Sequence, residues 1–142
     1  MKLDDLLKEI EEDSRFDIQK LDREALKIPM LHAKYYRIWS EETSRLRMYY
    51  SEMNTLKREL YEYYTGKAPD EEYNKKPLEH KILKTDVQLY MDADERMNDM
   101  ASKLDFQKNK VELIEKFMNQ LSRRGFDIKS AIEFQKLQNG VY

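Results

Sequence analysis

YYRIWSEETSRLRMYYSEMNTLKRELYEYYTGK, residues 35–67, decides the fold. It holds no proline, and its one glycine, Gly66, comes at the end. Stepping alternately by four and three from Tyr35 meets Trp39, Glu42, Leu46, Tyr49, Met53, Leu56, Leu60 and Tyr63. Every one of these positions except Glu42 is apolar or aromatic, and a 3.5-residue period of that length is the seam of a coiled coil. Strands require apolar residues to alternate with period two, which they do not do here.

The character changes at the C-terminal end, where Lys57, Arg58, Tyr61, Tyr64 and Lys67 crowd the last turns. Two readings fit them. Cations complement the negative end of the helix dipole by about 0.3–1 kcal/mol each. Cations beside aromatic rings also suit single-stranded nucleic acid, the charges meeting phosphates and the rings stacking on bases. Thr65-Gly66 supplies the stop, since glycine accepts the left-handed conformation there.

The remaining composition bounds the class. A chain of 142 residues makes one domain, and 38% charged residues with three Gly and three Pro point to extended helices rather than sheet. Helices this long bury only a seam, so oligomerisation is expected. The net charge of −2 leaves no basic field over the whole protein, so a nucleic-acid site must be a local patch. Without cysteine there is no disulfide or thiolate metal site. No stretch approaches the ~20 apolar residues that cross a bilayer, and the acidic N-terminus lacks a signal-peptide run, so a cytoplasmic protein is expected.

A second seam runs through Tyr90, Ala93, Met97, Met100, Leu104, Gln107, Val111, Ile114, Met118 and Leu121. Folding it against the first pairs Leu60 with Tyr90, Leu56 with Ala93, Met53 with Met97, Tyr49 with Met100 and Leu46 with Leu104. Glu42 then meets Gln107, one polar layer that fixes register. The expected organisation is all-α: N-terminal helices in 1–31, a long helix over 32–65, a loop over 66–84, a second long helix over 85–124 and a C-terminal helix over 126–142. Pro29 predicts a kink, a break or the first residue of the long helix. Thr85 or Asp86 is the expected cap of the second helix, and Gly125 its end. The segment 70–77 reads as a charged hairpin tip.

Apolar residues left over by the hairpin mark a subunit interface: Phe106, Leu113, Phe117, Phe126, Ile128, Ile132, Phe134 and Leu137. Chemistry is not indicated. There is no phosphate loop, dinucleotide fingerprint or metalloprotease helix. His32 and His80 stand apart without carboxylate-rich metal spacing, and no acid–base pair is isolated. The sequence reads as a non-enzyme with no cofactor and no metal.

Several segments carry a family resemblance. They are Leu3-Asp4-Asp5-Leu6, Lys20-Leu21 with Glu24-Ala25, and Leu56-Lys57-Arg58-Glu59-Leu60 leading into Tyr63-Tyr64-Thr65-Gly66-Lys67. The last is Ser122-Arg123-Arg124-Gly125-Phe126-Asp127-Ile128-Lys129. Over almost its whole length the chain resembles the UvsY family of recombination mediator proteins of tailed bacteriophages. The resemblance implies a homo-oligomeric ring, a heptamer in the family, that binds single-stranded DNA. It also implies loading of a RecA-like recombinase onto DNA covered by a single-stranded-DNA-binding protein, in the cytoplasm of the infected bacterium. In the family a Lys-Ala-Arg-Leu motif contacts DNA. Lys57 matches its lysine and Leu60 its leucine, while Glu59 stands at the second basic position with Arg58 beside it. One residue rotates that cation by about 100° around a helix. The alternative reading is a coiled-coil scaffold or adaptor without nucleic-acid binding.

Overall fold

The structure is a computed structural model that describes residues 1–140. It is all-α, with no strand among the described residues. The helices are α1 (Leu3–Asp13), α2 (Leu21–Tyr64), α3 (Asp70–Lys75), α4 (Val87–Ala93) and α5 (Glu95–Gln138). They form two compact units, one of residues 1–43 with 109–142 and one of residues 44–108. The long helices α2 and α5 contribute to both.

In the first unit the start of α2 runs antiparallel to the end of α5. The Tyr35 ring meets Phe117 edge-on at 4.6 Å, the Trp39 indole donates to Glu115 at 3.0 Å, and Glu42 pairs with Lys110 at 3.4 Å. Around these lie buried Ile38, Ile114 and Leu121. The short helix α1 closes the layer with fully buried Leu6, a side chain whose burial is worth about 1.5–3 kcal/mol. Polar contacts orient it. The Lys34 ammonium bridges Glu9 and Asp13, and the Tyr35 hydroxyl donates to Asp13 at 2.8 Å. Burial pushes the Tyr35 hydroxyl far above its ordinary range, and the Asp13 hydrogen bond adds to this. Glu42 is buried, and besides Lys110 its carboxylate accepts from the Met1 amine at 2.9 Å. A buried carboxylate needs such partners, because desolvating it alone costs several kcal/mol.

In the second unit the end of α2 packs on α4 and the start of α5. Met53, Leu56, Leu60, Tyr63 and Tyr64 share a cluster with Val87, Met91 and Met97. Lys103 lies over the Tyr49 ring at 4.3 Å and pairs with Glu52 at 3.3 Å.

Several expected boundaries move. The long helix begins at Leu21 instead of 32 and continues through Pro29. The second does not run unbroken from residue 85. It is interrupted at Asp94, which is extended (φ −67°, ψ 133°), so α4 and α5 are separate helices. The extra non-helical residue changes the phase of the seam. From Met97 onwards the predicted seam positions are buried or half-buried, but before the break Val87 and Met91 are buried, and Ala93, expected opposite Leu56, is exposed. Segment 70–77 is largely the helical turn α3.

Gly125 does not end the second long helix, because α5 continues to Gln138. The expected C-terminal helix is the tail of α5, and its last two predicted residues lie outside the described ones. A helical glycine costs only about 0.5–1 kcal/mol relative to alanine, too little to break a helix held by packing on both sides. A β-carbon at Gly125 would sit 3.9 Å from the Ile28 Cδ1 atom, an ordinary contact. Gly125→Ala is therefore expected to raise the thermal midpoint by a few degrees. If circular dichroism melts showed a lower midpoint, the continuous helix would be the wrong description.

Candidate nucleic-acid interface

The candidate interface lies within the second unit, at the end of α2. The helix stops as glycine chemistry requires: Gly66 has φ +79°, the Gly66 amide donates to Tyr63 and the Lys67 amide to Glu62 at 2.8 Å. This double hydrogen bond is the Schellman motif, and it fixes the direction in which Lys67 leaves the helix.

Lys57, Arg58 and Tyr61 are exposed on the last two turns, and Lys67 is exposed just beyond them. Lys57 and Tyr61 are one turn apart, about 6 Å along the axis. Among the described residues neither Lys57 nor Lys67 makes an ion pair, so both charges stand open. Arg58 lies 3.9 Å from Glu62 in an exposed pair one turn apart, a contact worth at most about 0.5 kcal/mol and easily exchanged for a phosphate. Arg58 and Glu62 also border a pocket of about 310 Å³ with Glu59, Glu72 and Arg96. Three carboxylates make that pocket a poor seat for an anion.

Tyr64 is a correction to the expected stacking residues. Only 9% of it is exposed, and its hydroxyl donates to Asp94 at 2.5 Å. Its ring packs edge-on against Tyr63 and at 5.9 Å from Tyr90. No face is left for a base. Tyr61, 46% exposed, is the ring that the last turns present to solvent.

What Tyr64 does is hold the tip. Asp94 caps α5 by accepting from the Arg96 amide at 2.8 Å, and it pairs with the Arg96 guanidinium at 3.1 Å. Arg96 also lies over the Tyr63 ring. Tyr73 stacks on Tyr63 at 5.3 Å and donates to the Tyr63 carbonyl at 2.8 Å, while the Tyr63 hydroxyl donates to the Lys76 carbonyl at 2.6 Å. The segment after Lys67 is thus fastened to α2 by tyrosines. Sequence reasoning does not single out Tyr73, Asp94 or Arg96. The signal that it could have used is Asp94, a favoured cap type directly before a glutamate.

Burial alone would raise the Asp94 carboxyl. The Arg96 guanidinium, the Tyr64 hydroxyl and the Arg96 amide outweigh it and hold the group down to about 2. Burial, and then the hydrogen bond to Asp94, push the Tyr64 hydroxyl up to about 12.

The expected interface residues divide. Phe117 and Ile128 are buried in the chain's own first unit, Ile128 to 2% exposure, so neither is free to meet another subunit. Leu113 is half-buried against the same core, and Ile132 is half-buried. Phe106, Phe126, Phe134 and Leu137 are exposed, Phe126 to 75%. No helix among the described residues is long and apolar enough to cross a membrane.

The fold and this helix end define a class: all-α chains built on two long helices, with exposed cations and a tyrosine where one of them ends. The chain belongs to the family described as recombination, repair and ssDNA binding protein UvsY, which matches residues 9–141. Crystal structures of the bacteriophage T4 recombination mediator protein UvsY share the fold. One, in lattice type II, has a TM-score of 0.84 at 20% identity over 98% of each chain. Another, in lattice type IV, has 0.79 at 21% identity, covering 97% of this chain and 99% of that one. No curated protein sequence matches the chain significantly.

The Asp94 network makes a pH-dependent contribution with a definite sign. A carboxyl held near 2 when folded and near 3.8 when unfolded stabilises the fold above about pH 4, and that stabilisation is lost as pH falls towards 2. Asp94→Asn should therefore cost about 2 kcal/mol at neutral pH, with the gap to the native chain closing between pH 4 and 2. Urea titrations of both proteins across that range would measure it, and a gap independent of pH would contradict the assignment.

Proposed function

We propose that the protein is a non-enzymatic mediator of phage recombination. It binds single-stranded DNA through Lys57, Arg58, Tyr61 and Lys67, and promotes loading of a RecA-like recombinase onto strands covered by a single-stranded-DNA-binding protein. The observation that carries this reading is the open charge of Lys57 and Lys67 on either side of exposed Tyr61, in a chain of the UvsY family. Cations neutralise phosphates and release counterions, and an exposed ring offers a face to a base.

A single patch of three cations binds weakly. Repetition around a homo-oligomeric ring, the heptamer the resemblance implies, raises apparent affinity by orders of magnitude with no change to the patch itself. Phe126, Phe134 and Leu137 are the apolar groups we assign to that assembly, with Phe106 as a further point in the second unit. A strand held across several subunits is presented in one extended path that a recombinase can take over. The place of action is the cytoplasm of the infected host.

Charge reversal of Lys57 and Arg58 tests the DNA reading. Affinity for an oligonucleotide should fall at least tenfold, and the slope of log affinity against log salt should flatten by about 0.7 for each phosphate that is no longer neutralised. Helix content should be unchanged. A coiled-coil scaffold, the competing reading, predicts no single-strand binding at low salt in the native chain. For the assembly, Phe126→Asp with Phe134→Asp should lower the subunit number measured by light scattering; an unchanged number would place the interface elsewhere.

A further inference from the structure

The cation-bearing end of α2 continues backwards along the helix. At about 100° per residue, Arg47, Tyr50, Asn54, Lys57, Arg58 and Tyr61 all fall within one arc of about 100°. All six are exposed and lie in the second unit, Tyr50 at 45% exposure, almost the same as Tyr61. The carboxylates of this stretch, Glu52, Glu59 and Glu62, all lie outside that arc, on the flank beyond Arg58. Glu52 is further neutralised by Lys103 at 3.3 Å. The arc is therefore free of α2 acid from Arg47 to the end of the helix, in a chain whose net charge is −2. Among the described residues Arg47 makes no ion pair and Tyr50 no ring contact.

We infer that single-stranded DNA lies along this face of α2, with Tyr50 as a second stacking platform and Arg47 as a further cation for the phosphates. The inference rests on the proposed DNA-binding function and extends it to residues outside the helix end. Tyr50 and Tyr61 are eleven residues apart, about 16 Å along the axis, so the two rings bracket a few nucleotides with Lys57 between them. Asn54 sits between the rings as a neutral hydrogen-bonding group for base edges or phosphate. The occupant is a single strand and not a duplex, since a ring stacks only on a base whose face is free. Charge complementarity and continuity with the Lys57 patch select nucleic acid over an acidic protein segment, because tyrosines at stacking intervals serve bases.

The test is fluorescence anisotropy of a labelled oligo-dT with the full-length protein, comparing Tyr50→Ala, Tyr50→Phe, Arg47→Gln and Lys57→Ala/Arg58→Ala. Light scattering checks that subunit number is constant. Tyr50→Ala should weaken binding about tenfold with an unchanged salt slope, and Tyr50→Phe, which keeps the ring, should bind as the native chain does. Arg47→Gln should weaken binding and flatten the salt slope by about 0.7. If Lys57→Ala/Arg58→Ala weakens binding while the Tyr50 and Arg47 variants do not, the strand leaves α2 at its end and this inference fails although the proposed function stands. If none of the variants weakens binding, the proposed function fails as well.

Discussion

A helix of 44 residues buries a stripe and nothing more, and the architecture follows from that constraint. α2 and α5 each carry apolar residues at a spacing that keeps them on one side, and each must find a partner for that side along its whole length. Within each unit the partner is the other long helix, running the opposite way. The remaining elements cover what the pair leaves open: α1 seals Tyr35 and Ile38 in the first unit, and the segment around Tyr73 seals Tyr63 in the second. Because the stripe is narrow, the rest of each helix surface stays in water. That is why cations and rings at the end of α2 remain available.

Asp94 shows how a single residue alters this geometry. Its extended backbone ends one helix, its carboxylate caps the next, and by accepting from Tyr64 it removes one ring from the surface. Tyr63 and Tyr73 fasten the segment after the helix, Tyr64 ties α2 to Asp94, and Tyr61 faces outward.

The long helices and their antiparallel run within each unit are legible in the sequence, because a period of 3.5 sustained over nine or ten positions marks a helical seam. The punctuation is less legible. At Pro29, Gly125 and Asp94 the sequence offers only local preference, which amounts to about 1–3 kcal/mol at each position. For Pro29 and Gly125, packing along the stripe exceeds that preference and the helix continues. For Asp94, three hydrogen bonds donated by Arg96 and one by Tyr64 add to the preference, and the helix breaks. Among the candidate site residues, Lys57, Arg58, Tyr61 and Lys67 are exposed. Tyr64 is not; it misleads because composition reports a ring but not whether both its faces are covered. Phe117 misleads for the same reason. An apolar residue off the main seam looks surplus to a two-helix pairing, whereas a third element, α1, widens the core.

Pro29, inside α2, has a consequence for how the molecule breathes. Proline has no amide hydrogen, so the Ala25 carbonyl lacks its partner four residues on. The turns before it are tied down by buried Leu21 and Glu24 and by a Lys27–Glu24 contact, not by an unbroken backbone ladder. Opening of residues 21–28 therefore need not carry the rest of α2 with it, and deuterium should enter those amides well ahead of the ones beyond Tyr35.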